Sequence, residues 1–153
     1  MSMECSSMKN FSKILCALDL SDVCGQVADY AAMQAKLSGA EVVALYVAPS
    51  LNQYSDTEMP LAIIKNFIEE RVANANKVMP VTVDKHFKGL NVRYSVEVGY
   101  PPDVILEMAR KEGADLVVIG THGRHASNAT IYGSVAEKVS KQCPVPVLLV
   151  RPH

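Results

Sequence analysis

The residues with the most chemical potential lie in one stretch: Gly120-Thr121-His122-Gly123-Arg124-His125-Ala126-Ser127-Asn128-Ala129-Thr130-Ile131-Tyr132-Gly133-Ser134. It leaves an apolar run of strand length and enters a helical pattern. In open α/β sheets, ligands bind in the crevice at such a junction. The unpaired N–H groups and positive dipole end of the helix suit a phosphate. Glycines there let the backbone approach oxygens that a side chain would obstruct. Ser134 adds a hydroxyl and Arg124 a fixed positive charge. The same pattern also fits a surface loop with turn glycines and Ser134 as an ordinary helix cap. It is not a Walker A loop, because no Lys precedes Ser134. The first apolar run also lacks the dinucleotide fingerprint G-x-G-x-x-G, since it ends Leu18-Asp19-Leu20-Ser21-Asp22.

Asp19 stands at the carboxyl end of that first run. If the first and fourth strands are neighbours, its carboxylate borders the same crevice and can accept hydrogen bonds from ribose hydroxyls or an adenine amino group. Helix capping is its other reading, and Asp22 reads as a cap or a solvated carboxylate. Val47 ends the second run, where its backbone could reach a flat ring. His122 and His125 share the loop, but without a paired carboxylate they make a weak metal signal. His86 and His153 lie elsewhere. Asp19 and Asp22 could hold Mg²⁺ against phosphates.

The elements that must position these groups follow from periodicity. Residues 14–18, 42–47, 116–119 and 145–150 are short runs rich in Val, Ile and Leu, as expected for parallel strands buried on both faces. Residues 91–98 instead alternate, with Val92, Tyr94, Val96 and Val98 on one face, which predicts an edge strand. Four helical stretches separate them. The first carries Val23, Val27, Tyr30, Ala31 and Ala35 inward, Ser21 or Asp22 as cap, and Gly39 as stop. The second, over 58–88, carries Leu61, Ile64, Phe67, Ile68 and Val72, and Pro80 should divide it into a long and a shorter helix. The third starts near Pro102, buries Ile105, Met108 and Ala109, and stops at Gly113. The last starts near Gly133 or Ser134 and buries Val135, Ala136 and Val139. Strict β-α alternation predicts a three-layer, doubly wound parallel five-stranded sheet. Two longer irregular stretches, 49–57 and 121–132, read as functional or mobile loops.

Composition agrees. At 153 residues, with 49% hydrophobic and 20% charged residues, the chain suits one domain with an adequate core. We expect a flexible lead over 1–10 and a single domain over 11–153. A net charge of -1 gives no reason to expect nucleic acid or an anionic membrane as partner. No apolar run reaches the roughly 18 residues of a membrane span, and the N-terminus does not read as a signal peptide. Cys5, Cys16, Cys24 and Cys143 match no zinc spacing and read as reduced thiols of a cytoplasmic protein.

Gly120-x2-Gly123-x9-Gly133-Ser134 resembles the G-x2-G-x9-G-[ST] signature of the ATP-binding branch of the universal stress protein family. "KILCALDLSD", "VVALYV", "VGYPPDVILEMA", "ADLVVIGTHGR" and "GSVAEKVSKQCPVPVLLVRP" are similar to successive blocks of that family, in order, over roughly residues 10–152. The resemblance implies an adenine nucleotide α-hydrolase-like sheet of order 3-2-1-4-5. It implies ATP, or ADP or AMP, between the first and fourth strands. Ala17 and Asp19 would meet adenine and ribose, and Val47 would offer backbone contacts to adenine. Gly120, Thr121, His122, Gly123 and Arg124 would wrap ribose and phosphates, and Gly133, Ser134 and Val135 would hold the phosphates. A homodimer paired through the last strand, 145–150, is also implied. Residues 126–132 depart from the family's pattern in being more polar, with no Lys or Arg after Arg124. No catalytic residue is evident, so a nucleotide-binding stress-response regulator is the leading expectation. A dimeric interaction module with an empty crevice, or a slow ATPase, is the alternative.

Overall fold

The structure, a computed structural model, describes residues 10–121 and 133–153. Five strands are β1 (Lys13–Ala17), β2 (Glu41–Ala48), β3 (Val92–Val98), β4 (Leu116–Gly120) and β5 (Val147–Val150). The helices are α1 (Cys24–Ser38), α2 (Leu61–His86), α3 (Pro101–Glu112) and α4 (Ser134–Gln142), with a 3₁₀ turn at Leu51–Tyr54. All strand pairs are parallel, in the order β3-β2-β1-β4-β5. The expected sheet is the one observed, and the alternating strand β3 does lie at an edge.

Two apolar layers sandwich the sheet. On one face Ile14, Cys16, Val42, Ala44 and Tyr46 pack with Val27, Ala31 and Ala35 of α1 and Ala75, Met79 and Val83 of α2. On the other, Leu15, Ala17, Val43, Leu45, Val117 and Ile119 pack with Ile105, Met108 and Ala109 of α3 and Val139 of α4. Past the charged first residues Lys13 and Glu41, β1 and β2 are apolar throughout because both faces are covered. Gly39 and Gly113 end α1 and α3 in the left-handed region, at φ 75° and 66°, where glycine avoids a Cβ clash.

Several expectations are corrected. Pro80 does not divide α2, which runs through it; packing of Met79 and Val83 against the sheet holds the helix across the missing N–H. Tyr30 is 40% exposed, and Leu61 and Phe67 are also exposed, because each apolar stripe is wider than the strip in contact with the sheet. Neither Ser21 nor Asp22 caps α1: the cap position is Val23, with no side-chain cap bond. The last strand begins at Val147 rather than residue 145. Pro146 has no N–H for a ladder, although its carbonyl accepts from Val117 at 3.0 Å. Within 49–57, the 3₁₀ turn is fastened by the Ser50 N–H donating to Gln53 Oε1 at 2.7 Å.

Candidate functional site

Strand register sets the first half of the site. Ala17 lies opposite Leu45 of β2 and Ile119 of β4. Asp19 follows two residues beyond this register, at the carboxyl end of β1. The Leu18 N–H donates to the Leu45 carbonyl at 2.8 Å, so the alignment persists past the end of β1. Asp19 is half-buried, and its Oδ1 accepts from the Ser21 hydroxyl at 2.6 Å and the Ser21 N–H at 3.0 Å. This side chain fastens its own turn rather than a helix end. Leu20 between them adopts φ 58°, a left-handed conformation unusual for a residue with a branched side chain.

The second half is built where β4 gives way to α4. The Thr121 N–H donates to the Val150 carbonyl at 2.8 Å, anchoring the departing chain on β5. The Thr121 carbonyl in turn accepts from the Gly133 N–H at 2.5 Å. A loop leaving at Thr121 and returning at Gly133 is thus closed by one backbone bond at its neck. Gly133 is the cap residue of α4, at φ -66° and ψ 154°. Its requirement is space: a Cβ there would lie 3.1 Å from the Thr121 oxygen. The Glu137 N–H bonds the Gly133 carbonyl at 3.0 Å, so regular α-helix starts at once. The N–H groups of Ser134, Val135 and Ala136 then precede any intrahelical acceptor and carry the positive end of the dipole. Ser134 is exposed there and Val135 half-buried.

The structure therefore brings together Ala17, Asp19, Val47, Gly120, Thr121, Gly133, Ser134 and Val135 at the carboxyl end of the sheet. His122, Gly123 and Arg124 lie outside the described residues, as does His125. His86 sits far along α2, its Nδ1 2.7 Å from Asp29 Oδ1 of α1, and His153 is held through its backbone by the Gln26 side chain. Sequence reasoning passed over Leu20 and the Val150 carbonyl; a left-handed leucine and a register-dependent backbone acceptor carry no sequence signature.

Electrostatically the crevice combines one carboxylate with the dipole of α4. Cys24, the first residue of α1, has its thiol pushed up by burial and then by the charge of Asp19, against a backbone hydrogen bond from Leu20. It is a poor thiolate despite its helix-terminal position. Among the described residues no group of three or more His, Cys, Asp or Glu could hold a metal ion.

The universal stress protein family profile matches residues 10–151. The chain belongs to this family. A universal stress protein of Methanocaldococcus jannaschii is 33% identical over 144 residues, covering 92% of this chain and 82% of its own. The universal stress protein UspA from Lactobacillus plantarum superposes with a TM-score of 0.80 at 23% identity, covering 93% of this chain and 99% of its own. A universal stress protein from Archaeoglobus fulgidus in complex with dAMP superposes with a TM-score of 0.57 at 24% identity, covering 93% and 98%. Among the described residues of this family member, no helix is long and apolar enough to cross a membrane.

Proposed function

We propose that this universal stress protein binds an adenine nucleotide, ATP or else ADP or AMP, in the crevice between β1 and β4. It acts in the stress response through binding rather than turnover. The observation that carries the reading is the neck bond between Thr121 and Gly133. It fixes the start of α4 to the end of β4, the strand paired with β1, which supports a phosphate-type donor set on the same crevice as the Asp19 carboxylate. The dAMP held by a relative of the same fold supports the ligand class.

In this reading Val47 offers backbone contacts to adenine, with Ala17 beneath it. The free oxygen valences of Asp19 accept from ribose. Gly120, Thr121, His122, Gly123 and Arg124 surround ribose and phosphates, and Gly133, Ser134 and Val135 hold the phosphates. Any Mg²⁺ would be held mainly by phosphate oxygens, with Asp19 as the protein's contribution. Arg124 is the last cation before α4, and residues 125–134 include no Lys or Arg. The γ-phosphate is therefore the least supported part of ATP.

The proposal extends to a homodimer paired through β5. The carbonyls of Pro146 and Val150 face β4, so by the period of two the backbone groups of Val147 and Leu149 face outward on an open edge. The free thiols of Cys16, Cys24 and Cys143 support a cytoplasmic setting. The test is to denature protein purified without added nucleotide and assay what is released, then titrate ATP, ADP and AMP calorimetrically. Binding of at least one at up to millimolar concentration is expected. No heat and no released nucleotide would overturn the reading and leave an interaction module with an empty crevice.

A further inference from the structure

A cleft of about 330 Å³ opens on the α2 face of the sheet, across β1 and β2 from the face that carries Ala17 and Val47. It is lined by Leu20, Tyr46, Phe67, Glu70, Arg71 and Asn74. Its volume lies at the lower end of the range for small-molecule sites.

The floor is Tyr46 of β2, only 5% exposed. Its hydroxyl has no hydrogen-bond partner among the described residues, yet no buried side-chain oxygen there is left unsatisfied. Tyr46 lines the cleft, so its hydroxyl is available there to hydrogen-bond a ligand or a water. Leu20 and Phe67 supply apolar walls. The Arg71 guanidinium lies 4.9 Å from the Phe67 ring centroid, and Tyr54 meets the same ring edge-on at 6.1 Å. This stacking orients a half-buried cation that makes no ion pair among the described residues. A guanidinium so held presents a planar fork that matches a carboxylate. Glu70 at the rim disfavours more than one negative charge.

We propose that this cleft is a second binding site, for a small monocarboxylate with an apolar, ring-sized body. The carboxylate pairs with Arg71, the body lies between Leu20 and Phe67, and the Tyr46 hydroxyl hydrogen-bonds the ligand's inner end or a water it retains. Tyr46 and the α2 walls of this site lie on the opposite face of the sheet from Ala17 and Val47, and Leu20 adjoins Asp19 at its edge.

The probes are 3-phenylpropanoate and its uncharged amide, 3-phenylpropanamide, titrated into the isotope-labelled full chain and followed by backbone amide shifts. The carboxylate should saturate at millimolar concentration and shift Leu20, Tyr46 and Arg71, with the amide about tenfold weaker. Arg71→Gln should equalise the two probes. Tyr46→Phe should weaken both by a few-fold, and each variant should keep the dispersed spectrum of a folded chain. The proposal is overturned by no shifts with either probe, by shifts confined to residues 120–121 and 133–135, or by an Arg71→Gln variant that still prefers the carboxylate.

Discussion

The Gly133 N–H donates to the Thr121 carbonyl at 2.5 Å, and a Cβ on Gly133 would stand 3.1 Å from that same oxygen. The neck of the loop and the start of α4 are therefore one structural unit. Because Gly133 has an ordinary negative φ, substitution acts through crowding and not through backbone strain. Gly133→Ala needs a shift of a few tenths of an ångström, whereas Gly133→Val adds two methyl groups at the neck. We expect Gly133→Val to weaken ATP binding by at least about tenfold, some 1.4 kcal/mol, with Gly133→Ala intermediate. Calorimetric titration of both variants checks the order; equal affinities in all three proteins would dissociate the neck from binding.

Asp19 has a local and a proposed role that substitution can separate. Asp19→Asn keeps an acceptor for the Ser21 hydroxyl and N–H, whereas Asp19→Ala loses both bonds. Asp19→Ala should lose about 1–2 kcal/mol of stability and Asp19→Asn less than half of that. Both should bind nucleotide more weakly, because a neutral amide is a poorer acceptor for ribose hydroxyls. Denaturant melts alongside calorimetry read the two effects. Undiminished binding by Asp19→Ala would remove Asp19 from the site.

Leu149 is the place to test pairing through β5. Its N–H faces away from β4, so Leu149→Pro removes a donor from the open edge without breaking a bond of the sheet. A wild-type dimer should become a monomer in analytical ultracentrifugation, with the α/β circular-dichroism signature retained. A Leu149→Pro protein that sediments as a dimer excludes the β5 edge as the interface.

Pro80 is costly where it stands. A proline inside a helix forfeits the bond to the carbonyl four residues back, and α2 is continuous across it. Pro80→Ala should stabilise the domain by about 1–2 kcal/mol, after allowing for the looser unfolded chain, and raise Tm by roughly 2–4 °C per kcal/mol. A lowered Tm would mean that the ring packs in a way the restored hydrogen bond does not repay.

Asp115 ties the start of β1 to β4. Its Oδ2 accepts from the Ser12 N–H at 2.8 Å and the Ser12 hydroxyl at 2.9 Å, and its Oδ1 from the Lys13 N–H at 3.1 Å. Burial pushes this carboxyl up, but the donated bonds outweigh it and hold it below its ordinary value. Glu112, held down by Arg93 and, less strongly, by Lys13 despite burial, behaves alike. A folded pKa below the unfolded one gives stability that is present above the unfolded value of about 4 and lost as pH falls through the folded value. Asp115→Ala should therefore cost about 1–2 kcal/mol near neutral pH, and the gap from wild type should narrow below about pH 4. Urea melts at several pH values check it; a gap that widens in acid would reverse the assigned sign.

Much of the architecture was legible in the sequence because it depends on local period. Unbroken Val, Ile and Leu runs identified doubly covered strands, the alternation at Val92–Val98 identified the edge, and Gly39 and Gly113 marked two helix ends. The misreadings of the helices come from what a local pattern omits. Periodicity finds an apolar stripe but not which part of it meets the sheet, so Tyr30 and Phe67 were placed inward; propensity flags Pro80 but does not weigh the packing of Met79 and Val83 on either side of it.

By itself, then, the chain's residue order determined the layers, the glycine-rich junction before α4 and the types of donor and acceptor there, since these rest on spacings within single elements. Only the tertiary structure decided that Ala17 stands opposite Leu45 and Ile119, that Thr121 closes on Gly133, and that Tyr46 and Arg71 line one cleft. Those relations join residues separated by a dozen to a hundred positions, and they are set by strand register and by the angle at which a helix settles on the sheet.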